Sequence, residues 1–330
     1  MKNVWQKLKK PFFILAPMDD VTDTVFREVV VRAAAPDLTF TEFANADGFM
    51  HPKGRSSVSR KLLVNKSERN LKVPIIAQIW GANPETLGQM TAELAGQGVF
   101  AGIDINMGCP ERGICRRGCC AGLIKEENWP RAAEIIKAVK ANAGSLPVSV
   151  KTRLGFGKQV TEEWVEFLLG QGIDALTLHA RTAKEMSKVP ARWEEIAKAV
   201  KIRDRVAPNT LIIGNGDVLS RKQGEELASE TGADGIMVGR GIFHNLLLFD
   251  PEGRELSRDE SFDVLLQHLD LYEATWGESK SYDPLKKFFK VYISGFDGAS
   301  ELRTQMMQTK NPAEAREVIQ KFRTSQTVTV

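Results

Sequence analysis

Short, nearly continuous apolar runs alternate with stretches of helical period along most of this chain. The β-rich runs cover residues 12–16, 38–43, 73–79, 102–106, 148–153, 175–179, 211–214 and 235–238. Runs of that length without polar alternation fit parallel strands buried on both faces. Between them, residues 84–97, 129–142, 161–171, 193–202 and 221–231 carry helical patterning. Several open on entry signals: Asn83-Pro84, Thr161 followed by two glutamates, and Ser220. Eight strands alternating with helices over about 245 residues match a (β/α)8 TIM barrel. The competing open, doubly wound sheet normally carries a glycine-rich first turn, whereas the turn here reads Ala16-Pro17-Met18-Asp19. Beyond Leu256 only helical stretches remain, at 262–276, 284–293 and 311–322. The pattern predicts a catalytic barrel over residues 1–250 and a small all-helical domain over 251–330.

Chemistry in such barrels collects at the carboxyl ends of the strands. The polar residues there are Asp19 behind Pro17 and Met18, Glu42, Gln78, Asn106 with Cys109, Lys151 with Arg153, and His179 with Arg181. Two glycine-bearing turns complete the rim, Gly214-Asn215-Gly216-Asp217 and Gly239-Arg240-Gly241. They follow the seventh and eighth strands, where barrels of this type bind phosphate through backbone N–H groups. A lysine ending an apolar strand is expensive unless an anion or an electron-rich ring compensates it. Phosphate at the glycine turns, with Lys151 and Gln78 at mid-rim, points to flavin mononucleotide (FMN) across the barrel mouth. The stretch GIDINMGCPERGICRRGCC from Gly102 to Cys120 turns at Gly108 and presents Cys109 beside Arg112, Arg116 and Arg117. A thiol beside cations at a strand end suits proton transfer near an anionic polymer. With a reference pKa of about 8.5 it is expected to be protonated at rest, the arginines facing outward.

Composition narrows the picture without deciding it. The 330 residues are 42% hydrophobic and 26% charged, with a formal net charge of +3 and a mean hydropathy of −0.23. That charge is too small to establish a nucleic-acid partner by itself. No segment reaches the roughly 18 to 20 apolar residues of a membrane span. The N-terminal run, bounded by Pro11 and Pro17, fits a first core strand better than a signal peptide. All four cysteines fall within residues 109–120, a poor disulfide framework that favours a reducing, cytoplasmic setting. Their C-x5-C-x3-C-C spacing lacks the two-residue arm and nearby histidine of zinc or iron–sulfur sites, so no metal is expected. Asp19-Asp20 reads as an N-terminal cap for the helix running through Arg27 rather than a cation site.

Seven motifs occur in register: Ala16-Pro17-Met18, Gln78-Ile79-Trp80-Gly81, Asn106-Met107-Gly108-Cys109-Pro110, Lys151-Thr152-Arg153-Leu154-Gly155, His179-Ala180-Arg181-Thr182, Gly214-Asn215-Gly216-Asp217 and Val238-Gly239-Arg240-Gly241. With these and the late Gly295–Arg303 segment, the chain resembles the bacterial dihydrouridine synthases, FMN enzymes that reduce uridine in tRNA. The resemblance implies that Pro17, Met18 and Asp19 pack on the flavin and that Gln78, Lys151 and His179 contact its ring. It implies that Asn215, Gly216, Asp217, Gly239 and Arg240 hold the ribityl and phosphate groups. Asn106, Arg153 and Arg181 would meet the substrate nucleotide, Cys109 would donate the proton, and NADPH (or NADH) would reload the flavin. In the helical domain Lys280, Lys286, Lys287, Lys290 and Arg303 are candidates for RNA phosphate, against the alternative of a solvated helix face. Two departures stand out. The family's small-residue Gly/Ala run is Gly118-Cys119-Cys120-Ala121-Gly122 here, and Met186-Ser187-Lys188-Val189-Pro190 replaces a segment that usually carries Tyr or Phe before Gly. The expectation is a monomeric tRNA enzyme. The alternatives are ribosomal RNA as substrate, a barrel flavin reductase of a free small molecule, or a metal- or RNA-binding protein without catalysis.

Overall fold

A computed structural model describes residues 3–327. Eight parallel strands close into one barrel: β1 Phe12–Leu15, β2 Leu38–Asn45, β3 Ile75–Trp80, β4 Gly102–Met107, β5 Val148–Arg153, β6 Ala175–His179, β7 Leu211–Asn215 and β8 Gly235–Val238. Each strand pairs with its successor, and β8 returns to β1 in the register Phe12↔Gly235 to Leu15↔Val238. Closure needs that glycine. A Cβ at Gly235 would come within 2.2 Å of the Phe12 ring. Every position of β1, β4 and β8 is buried; β1 and β8 accordingly read as unbroken apolar runs, whereas β4 carries Asp104 and Asn106 into the interior. β2, β3 and β7 end one or two residues later than predicted, on Asn45, Trp80 and Asn215. There the ladder outlasts the hydrophobic run.

The helices Trp129–Asn142 and Arg221–Thr231 match the sequence pattern. Three more, Ala46–Met50, Pro52–Lys61 and Lys66–Asn70, lie between β2 and β3 where none was predicted. Pro52–Lys61 buries no residue at all, so it has no apolar stripe to read. Asp23, rather than Asp19 or Asp20, caps the helix Thr24–Ala33, its carboxylate accepting from the Phe26 N–H at 3.0 Å. Beyond the barrel, Arg258–Trp276 opens on a Ser257/Glu260 capping box. The stretch expected as one helix over 284–293 divides into a 3-10 turn, Asp283–Phe288, and a short helix, Phe289–Tyr292. Ala299–Gln308 and Pro312–Thr327 complete the chain's helical end.

One apolar cluster joins Phe13, Leu15, Val25 and Phe26 of the barrel side to Phe262, Leu269, Phe289 and Ile319 of the C-terminal helices. Phe26 stacks on Phe288 with ring centroids 4.8 Å apart. Lys280 bonds Asp23 at 3.0 Å and lies over the Trp276 ring at 4.7 Å, so this candidate RNA contact fastens the two parts together. Beneath the same corner, Arg27 is fully buried. Its guanidinium donates to Glu68 at 2.6 and 2.8 Å and to the carbonyls of Thr22 and Leu63, both at 2.8 Å. Removing one partner of such a pair strands the other's charge in the interior. Arg27→Ala is therefore expected to lower stability by about 3–5 kcal/mol, and the double replacement Arg27→Met/Glu68→Leu to recover most of that loss. Urea unfolding of the three proteins measures the difference.

Candidate active site

A cavity of about 580 Å³ opens at the carboxyl ends of the strands. Pro17 and Met18 enter it just after β1, Lys151 and Arg153 from β5, His179 from β6, Asn215 from the end of β7 with Gly216 and Asp217 just beyond it, and Gly239 and Arg240 after β8. Lys151 and Arg153 share a face because side chains two apart in a strand point the same way. Arg181 closes the wall beside them.

Four cations line this one space, and their fields act on each other. Burial, with Arg153 close by, brings the Lys151 ammonium down to about 8; its Nζ donates to Asn215 Oδ1 at 3.1 Å. Burial and the surrounding Arg153, Lys151, Arg181 and Arg240 hold His179 well below its ordinary value. The imidazole is therefore neutral near pH 7, and its buried Nδ1 has no hydrogen-bond partner. Arg181 is only 2% exposed. Its Nε donates to the Val189 carbonyl at 2.5 Å and its Nη2 pairs with Asp217. The hydrogen bond from Arg181 lowers the Asp217 carboxyl, which also accepts the Ala191 N–H at 2.9 Å. Arg181 and Asp217 together thus pin the departing segment around residues 186–191 over the barrel.

Arg153 plays the same part on the other side. Its Nε donates to the Gly108 carbonyl at 2.8 Å, and its Nη1 to the carbonyls of Thr182 and Met186 at 3.1 and 2.9 Å. Both arginines expected on the substrate are engaged with the chain's own backbone. Cationic walls, an orphaned imidazole nitrogen and bare backbone at Gly239, where a Cβ would stand 3.9 Å from Met18 Sδ, fit a flat ring carrying an anionic tail.

Cys109 stands outside this cavity's lining, half-buried on the loop that Arg153 grips. Asn106 Oδ1 accepts the N–H groups of Gly108 and Cys109 at 3.0 and 2.9 Å. The Cys109 carbonyl accepts from the Ala121 N–H at 3.2 Å and the Cys115 thiol at 3.4 Å. Residues 112–116 form a short helix capped by the Glu111 carboxylate. A hydrogen bond from the Cys120 thiol, outweighing burial, brings the Cys109 thiol down to about 7. The thiol is thus poised at neutrality rather than protonated at rest. The cation acting on it is Arg153; Arg112, Arg116 and Arg117 are exposed, Arg117 lying 6.0 Å over the Trp80 ring.

The family model for dihydrouridine synthase matches residues 14–327. The chain belongs to the dihydrouridine synthase family. It is 48% identical over 323 residues to a probable tRNA-dihydrouridine synthase of Staphylococcus aureus (strain COL), covering 97% of this chain and 96% of the relative. It is 48% identical over 324 residues to probable tRNA-dihydrouridine synthase 2 of Bacillus subtilis (strain 168), covering 97% of each. The barrel also superposes on morphinone reductase in complex with tetrahydroNAD, at a TM-score of 0.55 and 13% identity over 78% of this chain and 93% of that one. The old yellow enzyme from Trypanosoma cruzi matches at a TM-score of 0.53 and 10% identity over 85% and 99%. Those two likenesses establish the barrel fold.

In this family member two of the expected ring contacts stand elsewhere than the cavity wall. Gln78 is fully buried, bonded to Asp104 and Asn106 at 2.7 and 2.9 Å. Asp19 is exposed and paired with Lys61. Among the described residues, Asp19, Asp20 and Glu42 are the group close enough to share one ion, and the Lys61 ammonium sits among them. Burial raises the Glu42 carboxyl to about 7. In the helical region Lys286, Lys287, Lys290 and Arg303 all line one recess of about 560 Å³. Lys286 pairs with Asp283 at 2.9 Å, Lys287 reaches the Asp20 carbonyl, and Arg303 donates to the Ile293 carbonyl at 2.8 Å. Sequence reasoning passed over Phe243 and His244, which line the cavity just beyond β8, and Asp104. The signal for Asp104 was present: a charged residue within GIDINM, two before Asn106 and hence on its face.

Cys120 holds φ +50°, a conformation that glycine adopts without strain. Cys120→Gly keeps that backbone and removes the thiol donor, so the Cys109 pKa should rise from about 7 toward its ordinary value. The midpoint of the pH–rate profile for iodoacetamide alkylation of Cys109 is expected to move up, with slower labelling at pH 7. An unmoved midpoint would show that Cys120 leaves the thiol untouched.

Proposed function

We propose that the chain is an FMN-dependent tRNA-dihydrouridine synthase that saturates the C5–C6 bond of uridine. The observation that carries this reading is a thiol held near neutrality on a loop tied, through Arg153, to the wall of a cationic cavity at the barrel mouth. The 48% identity to the Staphylococcus and Bacillus relatives, named for tRNA, supports the substrate. Reduced FMN, when bound, supplies a hydride to uracil C6 and is reloaded by NADPH or NADH.

Pro17 and Met18 give the ring an apolar bed, and Lys151 offers it a cation. Neutral His179 offers an uncharged hydrogen-bonding edge. Asn215, Gly216, Gly239 and Arg240 take the polar tail, with Asp217 holding Arg181 in place. Cys109 gives its proton to C5, and a value of about 7 lets it both release and regain one near neutral pH. Asn106 fixes the thiol's backbone, and Arg153 and Arg181 shape the opening through which the base enters. The base must leave its stack, at a cost of a few kcal/mol. Phosphate contacts in the recess of Lys286, Lys287, Lys290 and Arg303 offset it.

Nucleoside mass spectrometry of tRNA and ribosomal RNA from cells with and without the gene tests the substrate. Loss of dihydrouridine from tRNA is expected. Loss confined to ribosomal RNA moves the target there, and unchanged RNA with turnover of a free enone favours a small-molecule reductase. Cys109→Ala should bind FMN in full and form little dihydrouridine, and near-normal turnover removes the thiol from the chemistry. Replacing Lys286 or Lys290 by Gln should weaken tRNA binding and reduce the salt dependence of log K by about one unit per lost contact. Filter binding across a salt series reads that slope.

A further inference from the structure

Asp104 is a carboxylate deep in β4 that the mechanism above does not touch. It is fully buried, and burial raises it to about 6, so it is mostly ionised at neutral pH. Its Oδ1 accepts the Ser149 hydroxyl at 2.6 Å and its Oδ2 accepts the Gln78 side-chain N–H at 2.7 Å. From Gln78 the connections continue upward. Gln78 Oε1 accepts the Asn106 side-chain N–H at 2.9 Å, and Asn106 Oδ1 accepts the backbone N–H groups of Gly108 and Cys109 at 3.0 and 2.9 Å. The strand register makes this possible: Gln78 of β3 stands directly opposite Asp104 of β4, and Asp104 and Asn106 share one face.

The chemistry of the two ends fixes the middle. An ionised carboxylate only accepts, so the Gln78 NH2 must face Asp104 and its carbonyl must face Asn106. Backbone N–H groups only donate, so Asn106 must turn its carbonyl to Gly108 and Cys109 and its NH2 to Gln78. Both arguments give the same orientation for both amides. If Gln78 turned over, its carbonyl would face the carboxylate, a buried repulsion with two groups left unpaired.

We infer that Asp104 is a positioning residue, which orients Gln78 and Asn106 and through them holds the backbone of Cys109 in its working place. The inference rests on the proposed role of Cys109 for its catalytic consequence, but not for its structural one.

The test compares Asp104→Leu, which removes the acceptor, with Asp104→Asn, whose side-chain carbonyl still accepts from Gln78 while its NH2 meets the Ser149 hydroxyl. Lys151 feels the loss of charge in both, so their difference isolates the acceptor. Asp104→Leu should speed hydrogen exchange of the Gly108 and Cys109 amides about tenfold, the equivalent of one hydrogen bond. Single-turnover dihydrouridine formation should fall by about the same factor relative to Asp104→Asn, which shares the loss of charge beside Lys151, with bound FMN equal in the two variants and the KM for tRNA unchanged. Asp104→Asn should exchange like the wild type. A second pair reverses the polarity of the chain. Asn106→Asp alone sets a carboxylate against the Gln78 carbonyl and should loosen the loop. Asp104→Asn/Asn106→Asp lets Gln78 turn over with every bond remade, and should restore slow exchange.

Asp104→Leu leaving exchange unchanged, Asp104→Asn failing as badly as Asp104→Leu, or the double variant exchanging no more slowly than Asn106→Asp would each overturn the assignment. Should Asp104→Leu not fold, the polarity-reversed pair decides alone. Retained activity in Cys109→Ala would defeat the proton-donor reading while leaving the exchange results to judge Asp104 separately.

Discussion

The guanidinium of Arg153 is the constraint on which the site depends. It leaves the end of β5 and grips carbonyls from the loop after β4 and from the segment after β6. The loop after β4 and the segment after β6 are thereby both held to the end of β5. An arginine suits this work because it carries its charge whatever its surroundings and offers five donors in a fixed fork. Burial brings it down to about 10, which still leaves it charged at neutral pH.

Collecting so many cations has a consequence for everything beside them. Burial and the Arg153 charge depress Lys151, burial and Arg181 depress Arg153, and burial with these cations keeps His179 neutral. The Arg181–Asp217 pair relieves part of the repulsion at one edge. The remaining positive field faces the cavity and favours an anion there. Asp104 stands below this field as a buried negative charge that favours the charged form of Lys151, in addition to ordering the amides above it.

While Cys115 and Ala121 anchor it in the apolar core, the loop of Cys109 is held at the thiol by bonds to its backbone. Its N–H, its carbonyl and the neighbouring Gly108 are each engaged. Side-chain chemistry is then free to vary at the thiol's neighbours, and in this chain one of them is Cys120. A buried cysteine at positive φ costs conformational energy. In return its thiol donates to Cys109 and lowers it.

The strand runs were legible because a parallel strand buried on both faces is mainly apolar, with few polar interruptions, and eight of them in alternation with helices leave few architectures open. The rim residues were legible for a related reason: Lys151, Arg153 and His179 break those runs at their carboxyl ends, and a polar group there must be satisfied by something. The helices between β2 and β3 escaped notice, since Pro52–Lys61 buries nothing and needs no pattern. What Arg153, Arg181 and Gln78 touch was decided only by the closed barrel. Their partners lie on other strands and loops, and a donor's spacing along the chain says nothing of which acceptor folding brings to it. The Cys109 thiol shows the division most plainly. Its place after β4 followed from the sequence, but its proton affinity is set by Cys120, Arg153 and burial, which exist as its neighbours only once the chain has folded.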